Sequence, residues 1–497
     1  MKGRIIVDKK VRVRFAPSPT GFVHIGSLRT ALYNYLFAEK MGGDFILRIE
    51  DTDRTRFVEG AIENLINSLH WAGIHYSEGV FIEDGKVVQK GDYGPYIQSE
   101  RLDIYRKYVD QLIEEGKAYY CFCDKERLDR IREERQIKGL IPKYDGFCRN
   151  IPLDEAKKRV ANGEPYVVRL KLPKDTDITF HDVVRGDITI NTEDIDDQVL
   201  LKSDGFPTYH MAVVVDDHLM GITHIVRGEE WLPSTPKHVF LYEALGWEKP
   251  EYVHLPTVLN KDRKKLSKRQ GDVSVEDFKE KGYLPEALNN YLALVGWSPE
   301  DNKEIFTMDE LIKEFSFERV SKTGGIFDKD KLDWVNAQFL RNQDINVLRE
   351  EASEELIKAG LITEDFAKEN KEYMEVLIDT LKDNISLMTE LPEKARFIFE
   401  ELPLADETKE FLEGDNAENA KVLANAIEEE LSSVDEITLD YAKTFMKSIQ
   451  KKTGIKGKNL YMPVRAMISF SVHGPEMDRI LYLLGKEKIF KRLDKFK

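Results

Sequence analysis

Arg14-Phe15-Ala16-Pro17-Ser18-Pro19-Thr20-Gly21-Phe22-Val23-His24-Ile25-Gly26-Ser27 separates two stretches of opposite period, and its reading decides the fold. Before it, Val11-Arg12-Val13-Arg14-Phe15 alternates apolar and basic side chains, as a strand does. After it, Leu28, Ala31, Leu32, Tyr35 and Leu36 recur three and four apart, the spacing of a helix, which Gly42-Gly43 can close. Phe45-Ile46-Leu47-Arg48-Ile49 then returns to a strand pattern. Strand, helix, strand in a parallel sheet crosses over right-handedly. The Pro/Gly loop therefore belongs at the carboxyl end of the first strand, where open α/β sheets bind ligands and a helix N-terminus offers free N–H groups to phosphate.

Working outward, 497 residues exceed what one core can organise, so several domains are expected. With 41% apolar and 33% charged residues and no run long enough to span a bilayer, the composition is that of a soluble globular protein. The N-terminal residues lack the apolar stretch of a secretory signal, and three cysteines are too few for a disulfide framework, so a cytoplasmic location is expected. The net charge of −16 argues against a surface that is basic overall, although basic patches stand at 261–269, 447–458 and 486–497.

Ile49-Glu50-Asp51-Thr52-Asp53 puts three carboxylates at the end of the second strand. A helix follows with Val58, Ile62, Leu65, Ile66 and Leu69, then one with Leu102, Tyr105, Val109, Leu112 and Ile113. Short strand patterns at Tyr166–Leu172 and Asp187–Ile190 then indicate an α+β insertion. Within it, Cys121, Cys123 and Cys148 form an incomplete zinc set, since a structural site takes four ligands and Asn150 stands where a histidine would complete it; zinc binding is therefore not expected.

The parallel-sheet pattern resumes beyond the insertion. Met211-Ala212-Val213-Val214-Val215 reads as a strand buried on both faces, ending at Asp216-Asp217-His218. His224–Arg227 and Tyr252–Leu255 are further strands, separated by a helix capped by Ser234 or Thr235 and closed at Gly246. A loop with six basic residues in nine, Lys261 to Arg269, follows; such a loop can neutralise a polyphosphate leaving group or contact RNA. From about Lys303 the periodicity is helical, at Leu348–Leu361, Leu377–Leu391, Val422–Leu431 and Ile480–Leu493.

No G-x-x-x-x-G-K-[S/T] phosphate loop is present: Gly21 to Leu28 has the glycine spacing, but Ser27 and Leu28 occupy the lysine and hydroxyl positions. Neither H-E-x-x-H nor G-x-S-x-G occurs. Two elements remain, His24-Ile25-Gly26-Ser27 on the first crossover and Lys265-Leu266-Ser267-Lys268-Arg269 after the last strand. Together, in this order around a split α/β sheet, they resemble the two signatures of class I aminoacyl-tRNA synthetases. Arg14 to Gly21, Arg48 to Asp53, Asp216-Asp217-His218 and Gly485-Lys486-Glu487-Lys488 look like the glutamyl branch of bacterial type.

That resemblance implies an α/β fold: a Rossmann-like doubly wound parallel sheet split by an α+β insertion, a mostly helical stem-contact region and an all-α anticodon-binding region. The division it suggests is 1–98 with 210–258 for catalysis, 99–209 for the tRNA acceptor end, 259–343 for the stem and 344–497 for the anticodon. The implied reaction joins L-glutamate to tRNA(Glu), with ATP and Mg2+ on its phosphates, in a protein expected to be monomeric. His24 and Lys268 would be catalytic, with Gly26, Glu230, Trp231, Val258 and Lys265 completing the ATP site. Arg14, Ala16, Ser18, Glu50, Tyr209 and Arg227 would hold glutamate. Ser27 replaces the second histidine that the wider class carries in the first signature. Asn384 stands where relatives restricted to tRNA(Glu) often have arginine, so charging of tRNA(Gln) as well is an open alternative. A nucleotidyltransferase acting on a small substrate with the same histidine signature would have no use for the helical half, and a non-catalytic RNA-binding module would have no need of His24, Lys268, Arg14 and Glu50.

Overall fold

The computed structural model describes residues 9–267, 273–414 and 416–496. They divide into two compact units, one of residues 1–280 with 285–329 and one of residues 281–284 with 330–497.

The first unit is built on the strands predicted around the opening loop. Strands β1 (Arg12–Phe15) and β2 (Asp44–Leu47) pair in parallel with helix α1 (Ile25–Lys40) as the crossover. Leu28, Ala31, Leu32 and Leu36 are all fully buried, so the helical spacing in the sequence marks a face on the sheet. Helix α2 (Ala61–Trp71) leads to β3 (Glu78–Glu83), parallel to β2, and β4 (Lys86–Lys90) turns back against it.

Next come α3 (Leu102–Glu114), β5 (Ala118–Cys121), α4 (Lys125–Ile137), α5 (Leu153–Ala161) and β6 (Val167–Leu170). They are followed by β7 (Asp177–Asp182), β8 (Gly186–Asn191) and β9 (Val199–Leu201). Strands β5, β6 and β9 make a small antiparallel sheet of their own, whereas the β7–β8 hairpin joins the main layer. After the insertion, helix α6 (Tyr209–Leu219) and strand β10 (His224–Gly228) are joined through helix α7 (Thr235–Ala244) to β11 (Glu251–Leu255). Strand β10 pairs in parallel with β11, and β11 with β7 through Tyr252 and Asp182.

The two halves of the layer meet at β1, where the Thr223 amide donates to the Arg12 carbonyl at 2.9 Å and the Arg12 amide to Thr223 Oγ1 at 2.9 Å. Strand order reverses between β1 and β10, which makes their carboxyl ends the switch point where such sheets bind ligands.

One predicted strand is a helix. Met211–Val215 lies in α6, with every residue from Met211 to Asp217 buried. A continuous apolar run fits a helix enclosed on all sides as well as a central strand, and periodicity cannot separate the two. Here α6 packs into one core with α3, α7 and the small sheet. The predicted cap of α7 also differs: Ser234 occupies the cap without a side-chain bond, and the Thr235 hydroxyl is engaged elsewhere.

Beyond β11 lie β12 (Val258–Leu259), α8 (Val275–Glu280), α9 (Pro285–Leu294), α10 (Met308–Glu314) and β13 (Gly325–Ile326), which pairs with β12.

The second unit is helical. It contains α11 (Lys329–Arg341), α12 (Ile345–Lys358), α13 (Glu364–Glu369), α14 (Lys371–Leu381) and α15 (Leu391–Phe399) around one core. The second core gathers α16 (Asp406–Glu413), α17 (Ala417–Ser432), α18 (Leu439–Thr453), α19 (Lys458–Ser469) and α20 (Met477–Leu493). The predicted run Leu377–Leu391 is not one helix: it breaks after Leu381, turns through Lys382–Asn384 and passes through extended Ile385 and Leu387. Glu390 restarts the chain by accepting from the Ser386 amide at 2.8 Å.

Candidate active site

The opening loop places His24 as the cap of α1. Its Nδ1 accepts from the Gly26 amide at 2.9 Å, work usually given to serine or aspartate. Gly26 stays small for contact reasons: a Cβ there would lie 3.2 Å from His24 Nδ1 and 4.0 Å from Val258. The histidine segment is tied to the far side of the basic loop, since the Ile25 amide donates to Val273 O at 2.8 Å and the Val275 amide to Val23 O at 2.9 Å. The near side of that loop is a turn off β12, with the Leu266 amide donating to Val258 O and Lys265 bridged to Leu259. Both signatures thus converge on β12 and the start of α1. Lys268 and Arg269 lie outside the described residues.

At the switch point stands a buried ionic network. Asp217, on the last turn of α6, accepts from Arg14 Nε at 3.0 Å, from Arg14 Nη2 at 3.2 Å and from Arg48 Nη1 at 2.8 Å. Arg48 also donates to Glu50 Oε1 at 3.0 Å. Its neighbour Asp216 takes Arg101 Nε at 2.7 Å, Gln98 Nε2 at 2.9 Å and the Tyr105 hydroxyl at 2.8 Å. Three guanidiniums thus face three carboxylates, all buried. Such a set is tolerated away from water only because nearly every lone pair and proton is used. Burial works against the charge of Asp217, yet Arg14 and Arg48 hold its carboxyl below the usual range. Burial pushes Glu50 upward, with Arg48 and Arg14 opposing.

Arg227, at the end of β10, is bound differently. Its Nη1 donates to the Tyr209 hydroxyl at 3.0 Å and to His238 Nδ1 at 3.2 Å, its Nη2 to Thr235 Oγ1 at 2.9 Å, and its Nε to His254 Nε2 at 3.1 Å. Tyr209 links the two groups: its hydroxyl meets Arg227, and Glu50, Arg14 and Asp217 are close enough to act on it electrostatically. Its ring lies 4.1 Å from that of Trp231. Ala16 is half-buried and Ser18 exposed in the loop beside Glu50, whose amide donates to Pro17 O at 3.0 Å.

The predicted residues thus fall into two groups. Arg14, Glu50, Tyr209, Arg227 and Trp231 come together at the switch point, and His24, Gly26, Val258 and Lys265 gather at β12. Glu230 is exposed and folds back over Gly228; its neighbour Glu229 anchors the segment, accepting from the Thr257 amide at 2.7 Å and pairing with Arg185. The sequence gives no sign of a place in the site for Arg48, Asp182, Thr235, His238 or His254. The Asp216-Asp217 doublet was legible as a family motif, but not as a helix turn facing Arg14, Arg48 and Arg101, because the segment reads as a strand.

The three thiols are together. Cys121, Cys123 and Cys148 hold their sulfurs within 4.8 Å of one another. The Tyr144 hydroxyl lies beside them, 3.4 Å from Cys121 Sγ and 3.6 Å from Cys123 Sγ. Asn150 is exposed. The neighbouring Cys148 thiol holds the Cys121 thiol below its ordinary range. Among the described residues no helix is long and apolar enough to cross a membrane.

With a reversed-order parallel sheet, a histidine at its first crossover and a basic turn beside it, the geometry is that of a class I tRNA synthetase. The family model for the catalytic domain of class I tRNA synthetases (E and Q) matches residues 10–334, and one for an anticodon binding domain matches 348–497. The chain belongs to this family. Its relatives narrow the branch to glutamate. It is 57% identical over 490 residues to the glutamate–tRNA ligase of Finegoldia magna, covering 98% of this chain and 99% of that one. It is 56% identical over 484 residues to the glutamate–tRNA ligase of Clostridioides difficile, covering 97% and 98%. A crystal structure of a glutamate tRNA ligase from Elizabethkingia meningosepticum, in complex with its amino acid, superposes with a TM-score of 0.87 at 38% identity over 98% of this chain and 99% of that one.

Proposed function

We propose that this chain ligates L-glutamate to the 3′ end of tRNA(Glu) at the expense of ATP. A glutamate carboxylate attacks the α-phosphorus, pyrophosphate leaves, and a terminal ribose hydroxyl of the tRNA takes the glutamyl group from the adenylate. No protein nucleophile is required; the work is positioning and charge stabilisation. His24 and Gly26 face the phosphates, Lys265 and Lys268 neutralise the pyrophosphate, and Mg2+ arrives with ATP. Val258 and Trp231 line the adenosine side, with Glu230 at its exposed rim.

The observation that carries the choice of glutamate is the pair of buried guanidiniums, Arg14 and Arg227, on the two strands that flank the switch point. A substrate with two carboxylates matches two guanidiniums, and glutamine's amide would leave one unpaired. Glu50 supplies the negative charge for the ammonium, and Tyr209, Ala16 and Ser18 close the pocket. The insertion then meets the acceptor end and the second unit the anticodon, in a monomeric cytoplasmic enzyme. Charging of tRNA(Gln) is the alternative on the tRNA side: Asn384 is exposed at the end of the Lys382–Asn384 turn and brings no positive charge there.

The test is activation of each of the twenty amino acids, with and without tRNA, read as ATP–pyrophosphate exchange. Glutamate alone is expected to be activated, and its failure in the presence of tRNA refutes the reading.

A further inference from the structure

Arg227 is buried at 5% exposure, yet among the described residues no carboxylate pairs with it; its four contacts are a phenol, a hydroxyl and two imidazoles. Arg14 and Arg48, in the same site, both rest on carboxylates. A guanidinium only donates, so each ring nitrogen facing Arg227 must be a lone pair. That fixes both tautomers. His254 Nε2 accepts from Arg227, so His254 Nδ1 carries the proton and gives it to Asp182 Oδ2 at 2.7 Å. His238 Nδ1 accepts from Arg227, so His238 Nε2 carries the proton and gives it to His210 Nδ1 at 2.9 Å.

Asp182 is itself locked. Its Oδ1 accepts from the Val184 and Arg185 amides at 3.1 and 2.9 Å, and its Oδ2 also takes the His254 amide at 3.1 Å. It is fully buried and comes from β7, in the insertion. The nearest negative charge in this chain of contacts is therefore one imidazole ring away from Arg227, where attraction is weaker than in a direct pair.

We propose that Asp182, His254 and His238 are positioning residues that hold Arg227 as an aligned, un-neutralised cation for a carboxylate of the amino acid. The inference rests on the reading above that Arg227 meets such a carboxylate. Burial keeps both rings neutral: it lowers His254 to about 4 and His238 well below its ordinary value, so neither competes with the substrate as a second cation. Thr235 supports the same role, accepting from Nη2 while its hydroxyl lies 3.2 Å from His254 Nε2. A carboxylate in place of either imidazole would give Arg227 a fixed anionic partner, as Asp217 gives Arg14.

Asp182→Asn keeps the size of the side chain, but two backbone amides hold its carbonyl at the Oδ1 position. The amide nitrogen then faces His254 Nδ1 and drives that ring to the opposite tautomer, so that an N–H opposes Arg227. His238→Leu removes an acceptor outright, while His238→Asn can return an oxygen near the Nδ1 position. In ATP–pyrophosphate exchange on the full chain with tRNA present, D182N and H238L are expected to raise the glutamate KM about tenfold or more, with the ATP KM within about twofold and H238N restored to within about threefold. A merely structural role would move both KM values together or neither, and that result overturns the proposal. Arg227→Lys separates the two levels. An unchanged glutamate KM in R227K overturns the carboxylate role of Arg227, whereas a raised one with normal D182N and H238L overturns the positioning alone. Independently of variants, imidazole 15N shifts of the unaltered protein at pH 7 should show neutral His254 protonated at Nδ1 and neutral His238 protonated at Nε2; the opposite tautomer at either ring, or an imidazolium, overturns it.

Discussion

Asp217→Asn perturbs the centre of the site while preserving its shape. The carboxylate has no exposed surface and accepts three N–H bonds, two from Arg14 and one from Arg48. Arg14, Arg48 and Arg101 are balanced by Asp216, Asp217 and Glu50, so the substitution leaves one buried positive charge uncompensated and turns an amide donor toward a guanidinium. Breaking a buried pair by removing one partner costs about 3–5 kcal/mol. At ~2.1 cal/mol/K per residue, a unit of roughly 320 residues unfolds with about 0.7 kcal/mol/K, so the melting midpoint should fall by about 4–7 °C. Arg14 loses its fixed orientation at the same time, and the glutamate KM should rise more than the ATP KM. Differential scanning calorimetry and pyrophosphate exchange on the same preparation read both. A midpoint within about 1 °C of the unaltered protein would mean that the network does not carry the charge balance assigned to it here.

Gly26→Ala should raise the ATP KM and cost on the order of 1 kcal/mol of stability, because its Cβ would press on His24 Nδ1 from 3.2 Å and loosen the bond that caps α1; chemical denaturation and exchange kinetics check it, and unchanged values would remove the need for glycine there. Acid should destabilise the fold between about pH 6.5 and about 4. His254 and His210 are lowered to about 4 and His238 further, so in that window the unfolded chain binds more protons and stability drops as pH falls. His254 alone contributes a slope of up to ~1.4 kcal/mol per pH unit, opposed by the raised Glu50; denaturation midpoints at several pH values measure the net slope. The incomplete set of Cys121, Cys123 and Cys148, hydrogen-bonded to the Tyr144 hydroxyl, predicts no stoichiometric zinc by metal analysis of the purified protein; about one zinc per chain, lost in Cys148→Ala, would contradict it.

What could be read from the sequence was what is local. The strand–loop–helix at Arg12 to Lys40 declares itself through a change of period, and its histidine stands at the joint because the loop is short and punctuated by proline and glycine. The helical unit likewise shows in its spacing, except where Ile385 and Leu387 extend the chain between two helices. Helix α6 did not show, because a segment buried on every side has no polar face to set a period. The network was hidden for a different reason. Asp217 lies 203 residues from Arg14 and Asp182 lies 72 from His254, so only the folded sheet makes partners of them. Arg14 and Glu50 could be assigned to glutamate by resemblance, but their support could not: Arg48 entered only as part of the second strand and of the Arg48–Asp53 motif, and no spacing singles out His238 or His254. Tyr144 stands four residues before Cys148, where no ligand spacing points to it, so its hydrogen bonds to the thiols show only in the folded chain.

The most direct test of the central claim is charging of purified tRNA by the full chain with ATP, Mg2+ and labelled glutamate, run in parallel with labelled glutamine. The account predicts glutamyl-tRNA(Glu) with release of AMP and pyrophosphate, and no attachment of glutamine to either tRNA. Absence of glutamyl-tRNA(Glu), or glutamine attached as readily as glutamate, would contradict it.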